Sequence, residues 1–558
     1  MLSSTTLGEG VSSRVGTGWL TPLGLMVAAA LLYTINLDRL PHPDELHHAI
    51  AARGLLEQGI PAIAEGRYDR VLLHTWMVAG SYALFGDGLA AARLPSVLCM
   101  AVLVGLLFAW LRAHAGSLAA WLGTLLFALS PFAVDTAQFA RFYAPQCLTL
   151  FVGAVLVHAA VSSEAGWRRR LLLAGLALPP LLLAVYFQPT TLIGMTGIGL
   201  WAAGAIALPW LAAAHVPATR KLAVGTAVLA LGLAAIAAGW TSGILPELWH
   251  RYRWTPLFNR GTQDQFWFYH AWLSLLYPSL WPLTGILGLA AVAYRPRPAA
   301  FALTVYALAF LLNSLAAAKS LRYLVYAQPF LFAVWGMGLA ALWQPLRGFL
   351  VGLRAALSDR LAELGRPYRP LSWVLLGGAV LFLLLANPAW LRTVALLADV
   401  TIPPERPMAD WPRARAALEP WLRDADVVVT TEELGSLYFL GRFDLRFSRS
   451  KLEELPDEEQ KDFGIDPRTG RPVIASRAAL ERVFACYPKG VILGPDTSWN
   501  NPTLLDDELV LLIRQRARAI PLPPGSHLVA YGWERASGDP AAADCATLPR
   551  LPQSPSAR

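Results

Sequence analysis

Charge is scarce in this chain. Of 558 residues only 15% are Asp, Glu, Lys or Arg while 55% are hydrophobic, whereas soluble domains carry roughly 25% charged residues. An ordinary water-soluble protein is thereby excluded. Cysteine is scarce too: there are four, none in a CxxC pair, which leaves no zinc ribbon or dithiol redox motif. No GxGxxG, no Walker A motif and no internal repeat is found. The net charge of +8 is spread over loops, with no basic stripe interleaved with aromatics, so nucleic acid is not an expected partner. No A-x-A-like cleavage site follows the first apolar run, and that run reads as an uncleaved transmembrane helix.

What the chain has instead is apolar runs near the ~20 residues that cross hydrocarbon. They cover 19–36, 89–111, 118–134, 145–161, 171–187, 191–211, 222–240, 269–293, 299–315, 324–343 and 371–388, which predicts a polytopic α-helical membrane protein of about eleven spans. The third to fifth are short, and one could be re-entrant. With the amino terminus inside, the connections "RAHAGS", "SSEAGWRRR", "AAHVPATRK", "YRPRP" and the segment 344–370 are cytoplasmic. All carry basic residues, against three acids, Glu164, Asp359 and Glu363. That bias predicts a cytoplasmic amino terminus, a multi-pass position in the cell (inner) membrane and an extracytoplasmic tail. Segment 344–370, with Arg347, Arg354 and Arg360 at helical spacing, reads as an amphipathic helix on the cytoplasmic interface or as a solvated connector.

The expected division is a transmembrane domain over 1–398 and an extracytoplasmic α/β domain over 399–558. In the tail, "DWPRARAALEPWL", "SRAALERVFACY" and "PTLLDDELVLLIRQRA" read as helices, and "DVVVTT", "GVILG" and "HLVAYGW" as strands of a largely parallel sheet. "SKLEELPDEEQKDFGIDPRTGRPVI" reads as an exposed charged loop. Glu432 and Glu433 follow a strand, a place where α/β sheets often carry sites, but without a phosphate loop they read as structural. Cys486 and Cys545 can pair in an exported tail; Cys99 and Cys147 lie in apolar runs as small core residues.

The first outward loop, 37–88, is too long for a connector. In "PDELHHAIAARGLLEQG", Pro43 starts a short helix, Asp44 and Glu45 occupy its first turn and Gly59 stops it. Acids in a first turn favour the helix dipole, so Asp44 as a cap is the bland alternative. Other groups share that side of the membrane: "EGRYDR" with Arg67 and Tyr68, then His74, Arg93 in "AARLPSVL", and Asp135, Gln138, Arg141 and Tyr143 in "DTAQFARFYAPQ". An arginine near hydrocarbon costs roughly 2.5–3.5 kcal/mol unless it is paired or lines a polar cavity. Several of them around two carboxylates suggest a wet cavity that binds an anionic ligand, guanidinium forks being suited to phosphate. Snorkelling to headgroups is the alternative for each arginine taken alone.

These motifs, in order with "KSLRYLVYAQP" (Lys319 to Pro329), resemble the bacterial members of the GT-C glycosyltransferase superfamily. The group concerned is related to the protein O-mannosyltransferases and to the transferase that adds aminoarabinose to lipid A. The resemblance covers about the first 340 residues as a run of four short motifs, each weak by itself. It implies a membrane enzyme that moves a sugar from a polyprenyl-phosphate carrier to a lipid, glycan or protein acceptor outside the cytoplasm. Asp44 matches the acid that serves as general base, with Glu45 beside it. Arg93, Arg141, Tyr143, Arg322 and Tyr323 fall on positions lining the carrier-phosphate cavity. Arg67, Tyr68, His74, Gln138 and Lys319 complete the candidate substrate-binding set. "LHH" after the acidic pair and "HTW" at His74 depart from the family pattern and leave sugar and acceptor open.

Two rivals remain at this point. His42, Asp44, His47 and His48 place N and O ligands within one helical turn, though not in HExxH order; a divalent ion bridging the donor phosphate and Asp44 is the other metal reading, and no cofactor is otherwise implied. A transporter or flippase of lipid-linked sugars would also carry charges at membrane depth, but would be expected to show paired repeats.

Overall fold

Long apolar runs, which can satisfy their backbone groups in hydrocarbon only as helices, make most of the first 350 residues helical. The structure is a computed structural model and describes residues 19–164, 166–254, 263–362, 378, 386–456, 462–499, 501–535 and 545. The helices in chain order are α1 (Leu20–Tyr33), α2 (Pro43–Gln58), α3 (Leu72–Phe85), α4 (Leu89–Ala115), α5 (Ser117–Ala128), α6 (Pro131–Ala137), α7 (Tyr143–Ser162), α8 (Trp167–Phe187), α9 (Thr191–Ala212), α10 (Ala218–Thr241), α11 (Ile244–Arg253), α12 (Phe268–Leu276), α13 (Thr284–Tyr294), α14 (Pro296–Leu315), α15 (Gln328–Ala362) and α16 (Ala389–Leu397). Among the described residues seven helices are long and apolar enough to cross a membrane, or eight if the bent pair α5–α6 forms one span. The molecule is thus a multi-pass membrane protein.

Several of the expected runs are broken or short among the described residues, for local reasons. The run 269–293 is divided between α12 and α13, because Pro278 and Pro282 remove backbone donors and clash with the preceding turn. Serine 130 caps α6 through its hydroxyl and Pro131 follows it, which bends α5 against α6 by 58°. Helix α1 is only 14 residues long. The run 371–388 lies almost wholly outside the described residues, as do 363–370 of the amphipathic segment. Residues 344–362 continue α15 without a break. Helices α5 and α15 meet through Gly123 and Gly336: a Cβ on Gly336 would stand 2.6 Å from the Gly123 nitrogen. Such small-residue contacts let backbones approach where no hydrophobic force drives helices together.

Loop 37–88 is structured throughout. It holds α2, a two-stranded ribbon of β1 (Ala62–Ile63) and β2 (Gly66–Arg67), and α3; α3 is a correction, since those apolar residues were read as loop. Helix α2 runs as expected from Pro43 and stops at Gly59, whose φ of 76° suits glycine.

The tail forms a seven-stranded mixed sheet from β3 (Val427–Thr430), β4 (Leu445–Phe447), β5 (Gly464–Asp466), β6 (Arg471–Ile474), β7 (Lys489–Pro495), β8 (Arg518–Ala519) and β9 (Leu528–Glu534), in the order β5-β6-β4-β3-β7-β9-β8. The central pairings β6-β4, β4-β3 and β3-β7 are parallel, and both edges are antiparallel. Helix α17 (Trp411–Asp424), short α18 (Glu433–Gly435) and α19 (Arg449–Glu453), α20 (Arg477–Cys486) and α21 (Asp507–Arg516) connect the strands. The β5-β6 hairpin corrects the reading of that segment as an exposed loop. A disulfide joins Cys486 to Cys545.

The hairpin docks on loop 37–88. Arg471 forks onto Glu65 at 2.6 and 2.9 Å, and the Glu65 N–H donates to the Thr469 carbonyl at 3.1 Å. Gly66 makes the approach possible, since a Cβ there would come within 2.5 Å of the Arg468 backbone. Leu434, just after β3, packs with Leu46 and Ile50 of α2.

Candidate active site

The site grows from the start of α2. His42, not Asp44, is its N-cap: the His42 ring accepts the Asp44 N–H at 3.1 Å, and Glu45 accepts the His42 N–H at 2.9 Å. This reciprocal box fixes the first turn and frees the Asp44 carboxylate from any capping duty.

Glu45 and Arg93 are paired out of reach of solvent, with side chains 3% and 0% exposed. Arg93 Nε and Nη2 donate to the two carboxylate oxygens at 2.7 and 2.9 Å, and the Ala140 N–H adds a third donor at 3.0 Å. Arg93 Nη1 donates to the carbonyls of Leu37 and Arg39. Burial raises the Glu45 pKa, but Arg93 and these hydrogen bonds outweigh it and hold it below the usual carboxylate range. Four chain segments meet at this pair. Arg93 was expected to line a phosphate cavity; its donors are committed to Glu45 and two backbone carbonyls, because a guanidinium this deep must be neutralised and saturated.

Asp44 lies differently. Its side chain is 41% exposed, and its Oδ2 accepts from Arg322 Nη1 at 2.8 Å. Its backbone carbonyl accepts from Arg141 Nη1 at 2.9 Å and faces His47 Nδ1 at 3.3 Å. Burial of the carboxyl pushes its pKa up, and the fields of Arg141, His42 and Arg322 bring it far below the ordinary range. Arg322 lies over the Phe139 ring at 4.1 Å, a cation–π contact. Tyr143 stacks on Phe139 and Phe142. Tyr323 packs beside that group, and burial raises its phenol to about 12.

Behind Asp44 lies an aromatic and imidazole layer. Tyr68 receives Arg141 Nη1 at 3.3 Å and stacks on His47. His48 contacts Thr75 Oγ1 at 2.9 Å and meets His74 edge-on. Burial, with Arg141 nearby, lowers His74 to about 3. The four candidate metal ligands do not converge: His42 serves the helix cap, His47 lies between Asp44 and Arg468, and His48 turns to Thr75. No group of three or more His, Cys, Asp or Glu could hold a metal ion among the described residues, which corrects the ligand-cluster alternative.

Other expected residues lie elsewhere. Gln138 stitches the end of α1 through the carbonyls of Tyr33 and Ile35. Lys319 donates to the carbonyls of Asp264 and Ala316. Arg67 is exposed and paired with Asp69. Arg70, over the Phe142 ring at 5.4 Å, is nearer the cluster than Arg67, and nothing in "EGRYDR" tells the two apart.

A cleft of about 430 Å³ opens between the bundle and the tail. Arg39, Arg322 and Arg392 line it with Phe139, Trp272 and Leu276 from the bundle, and Glu405, Arg406 and His527 from the tail. Acids line it as well, Asp135 paired with Arg39 and Glu405 with Arg392, so it sets arginines and carboxylates together against an apolar wall. The tail reaches Asp44 from another side. Arg468 Nη1 contacts His47 Nε2 at 2.9 Å, and Glu432 after β3 is pushed up to about 8 by burial and by Glu433, with a smaller effect of Asp44.

Comparison with known proteins agrees with the resemblance read from the motifs. Residues 69–238 match the family model described as "Dolichyl-phosphate-mannose-protein mannosyltransferase". No curated protein matches the sequence. Among solved structures, the chain is similar in fold to ArnT from Cupriavidus metallidurans bound to undecaprenyl phosphate, with TM-score 0.56 and 16% identity over 93% of this chain and 98% of that one. The apo state of ArnT gives TM-score 0.57 and 18% identity over the same shares. The fold is therefore the GT-C-like one, a helical membrane bundle with a sheet domain in the C-terminal region.

Proposed function

We propose that this protein is a membrane glycosyltransferase that takes a sugar from a polyprenyl-phosphate carrier and passes it to an acceptor on the extracytoplasmic face. The carrying observation is the ion pair between Asp44 and Arg322, residues 278 apart in the chain, with Arg322 also lining the cleft. The family-model match and the ArnT-like fold support the same reading, and ArnT itself was solved with undecaprenyl phosphate. The disulfide in the tail supports an oxidising compartment for that domain and for the loop it touches.

In this reading Asp44 is the general base. It removes the proton of the acceptor hydroxyl as that oxygen attacks the anomeric carbon, and the carrier phosphate leaves with the bonding electrons. Such a base contributes typically 10²–10⁴-fold. Arg322 and Arg141 stabilise charge gathering on the leaving phosphate. The depressed Asp44 pKa fits this sequence of events. A carboxylate so acidic is a weak base, but a phosphate that draws off the arginine fields restores its basicity at the moment it is needed. Glu45 and Arg93 hold the first turn in place. The carrier's isoprenoid tail follows the apolar wall at Trp272 and Leu276.

The test is to mix purified protein with a panel of radiolabelled polyprenyl-phosphate sugars and membrane extract, then trace the label. Transfer of label to an extract component, with loss of donor, is the expected result. A protein that moves intact donor across vesicles without consuming it would be a transporter, and the reading would fall.

A further inference from the structure

We propose that Arg468, on the β5-β6 hairpin of the tail, is a positioning residue for Asp44 and acts through His47. The proposal rests on Asp44 being the base, and its first readout is independent of activity.

The geometry is a one-way chain of donors. A guanidinium only donates, so the 2.9 Å contact of Arg468 Nη1 with His47 Nε2 makes that nitrogen the acceptor. The ring proton of neutral His47 must then sit on Nδ1, which faces the Asp44 carbonyl at 3.3 Å. Besides the N–H one turn on in the helix, that carbonyl has a second side-chain donor, Arg141 Nη1 at 2.9 Å. With Nδ1 unprotonated, two lone pairs would face each other, and of the side-chain donors on the Asp44 carbonyl only Arg141 would be left, a residue the carrier phosphate also needs. Arg468 is itself fixed. Asp466 takes its Nε and Nη2 at 3.1 and 2.7 Å, and Glu433 takes Nη2 at 3.3 Å. Arg446 secures Glu433 in turn at 2.7 Å. The hairpin is held to loop 37–88 by Arg471 and Glu65. The charged and titratable groups facing His47 are Asp44 of its own helix, Tyr68 of the loop, Arg141 before α7, and Arg468. Burial, then Arg141 and Arg468, hold His47 well below its usual pKa, so it stays neutral.

The tail is thereby part of the machinery: its seating decides which nitrogen of His47 carries the proton, and so how the base is aimed. A hydrogen bond to the second ring nitrogen selects the tautomer in this way.

The experiment uses the full chain, labelled with ¹⁵N-histidine, in wild type, Arg468→Met and Arg468→Lys. The His47 signals are those lost in His47→Gln. Wild type should show neutral His47 with the proton on Nδ1 from pH 5 to 8. Arg468→Met should switch the tautomer or raise the His47 pKa, lower kcat about 10- to 100-fold with donor KM within twofold, and change the acid side of the rate profile. Arg468→Lys keeps a cation for Asp466 and should show the same changes at smaller size. Arg471→Met, which loosens the neighbouring docking pair, should lower Tm without altering the His47 tautomer. A folded Arg468→Met or Arg468→Lys protein with an unchanged His47 spectrum and rate profile overturns the proposal. Full turnover in Asp44→Asn would instead remove the base assignment, while the tautomer result would stand by itself.

Discussion

Asp44 and Glu45 are chain neighbours with the same charge, yet their surroundings are opposite. Glu45 is sealed in, with all its acceptor capacity taken by Arg93 and two backbone N–H groups. Asp44 stands 41% exposed, its Oδ2 bonded to Arg322, which itself faces the cleft, and 3.8 Å from the His42 ring. The difference teaches how to tell a scaffold from a reagent in one acidic pair. A buried carboxylate whose partners are saturated has nothing left to offer a substrate. One that shares an exposed arginine can exchange it. The Glu432–Glu433 pair in the tail is unequal in another way: Glu433 is buried on Arg446 and Arg468, while burial and Glu433 raise the Glu432 pKa.

The largest effect that would sharpen the comparison is on turnover. Asp44→Asn should lower sugar transfer by about 10²–10⁴-fold with Tm within a degree or two of wild type, read by label transfer and thermal unfolding on one preparation. Arg93→Met should do the reverse of this split. Leaving Glu45 buried and unpaired should lower stability by about 3–5 kcal/mol, seen as loss of folded protein on extraction or a large fall in Tm. If Arg93→Met stays stable while losing only donor affinity, the scaffold assignment breaks.

A smaller effect tests the tail pair by pH. Glu432 has a folded pKa of about 8 against an unfolded value near 4.5. The folded protein therefore keeps a proton that the unfolded chain releases. Stability from this group is full below pH 4.5 and is lost as pH rises towards 8. Glu432→Gln should flatten the Tm profile between pH 5 and 8 and leave Tm higher than wild type at pH 8. Glu45 has the opposite sign: its depressed pKa contributes stability above the usual carboxylate range and loses it only in stronger acid.

Much of this was legible where the signal is local. The limits of α2 follow from Pro43 and Gly59, and the resemblance pointed to Asp44, Arg141 and Arg322, which the structure gathers. Partner choice was not legible. Nothing near Arg93 says that it binds Glu45, 48 residues away, although an arginine at that depth had to find an anion. Span lengths failed at Pro278 and Pro282, where an average apolar run hides a break. The β5-β6 hairpin went unseen because its strands are three and four residues long and charged. Their register depends on β4, which is itself placed by the sheet. The turn residues in "DPRTG" were the available signal, and that turn carries the Arg468 contact to the site.

The most direct test of the central claim is the Kd for undecaprenyl phosphate, carrying no sugar, in three proteins. Arg322→Gln should bind about tenfold or more weakly, as expected for loss of a charge-assisted hydrogen bond. Asp44→Asn should bind at least as tightly as wild type, because the competing anion on Arg322 is gone. Equal affinity in Arg322→Gln and wild type, or weaker binding in Asp44→Asn, would contradict a site in which Asp44 and a lipid phosphate share one arginine.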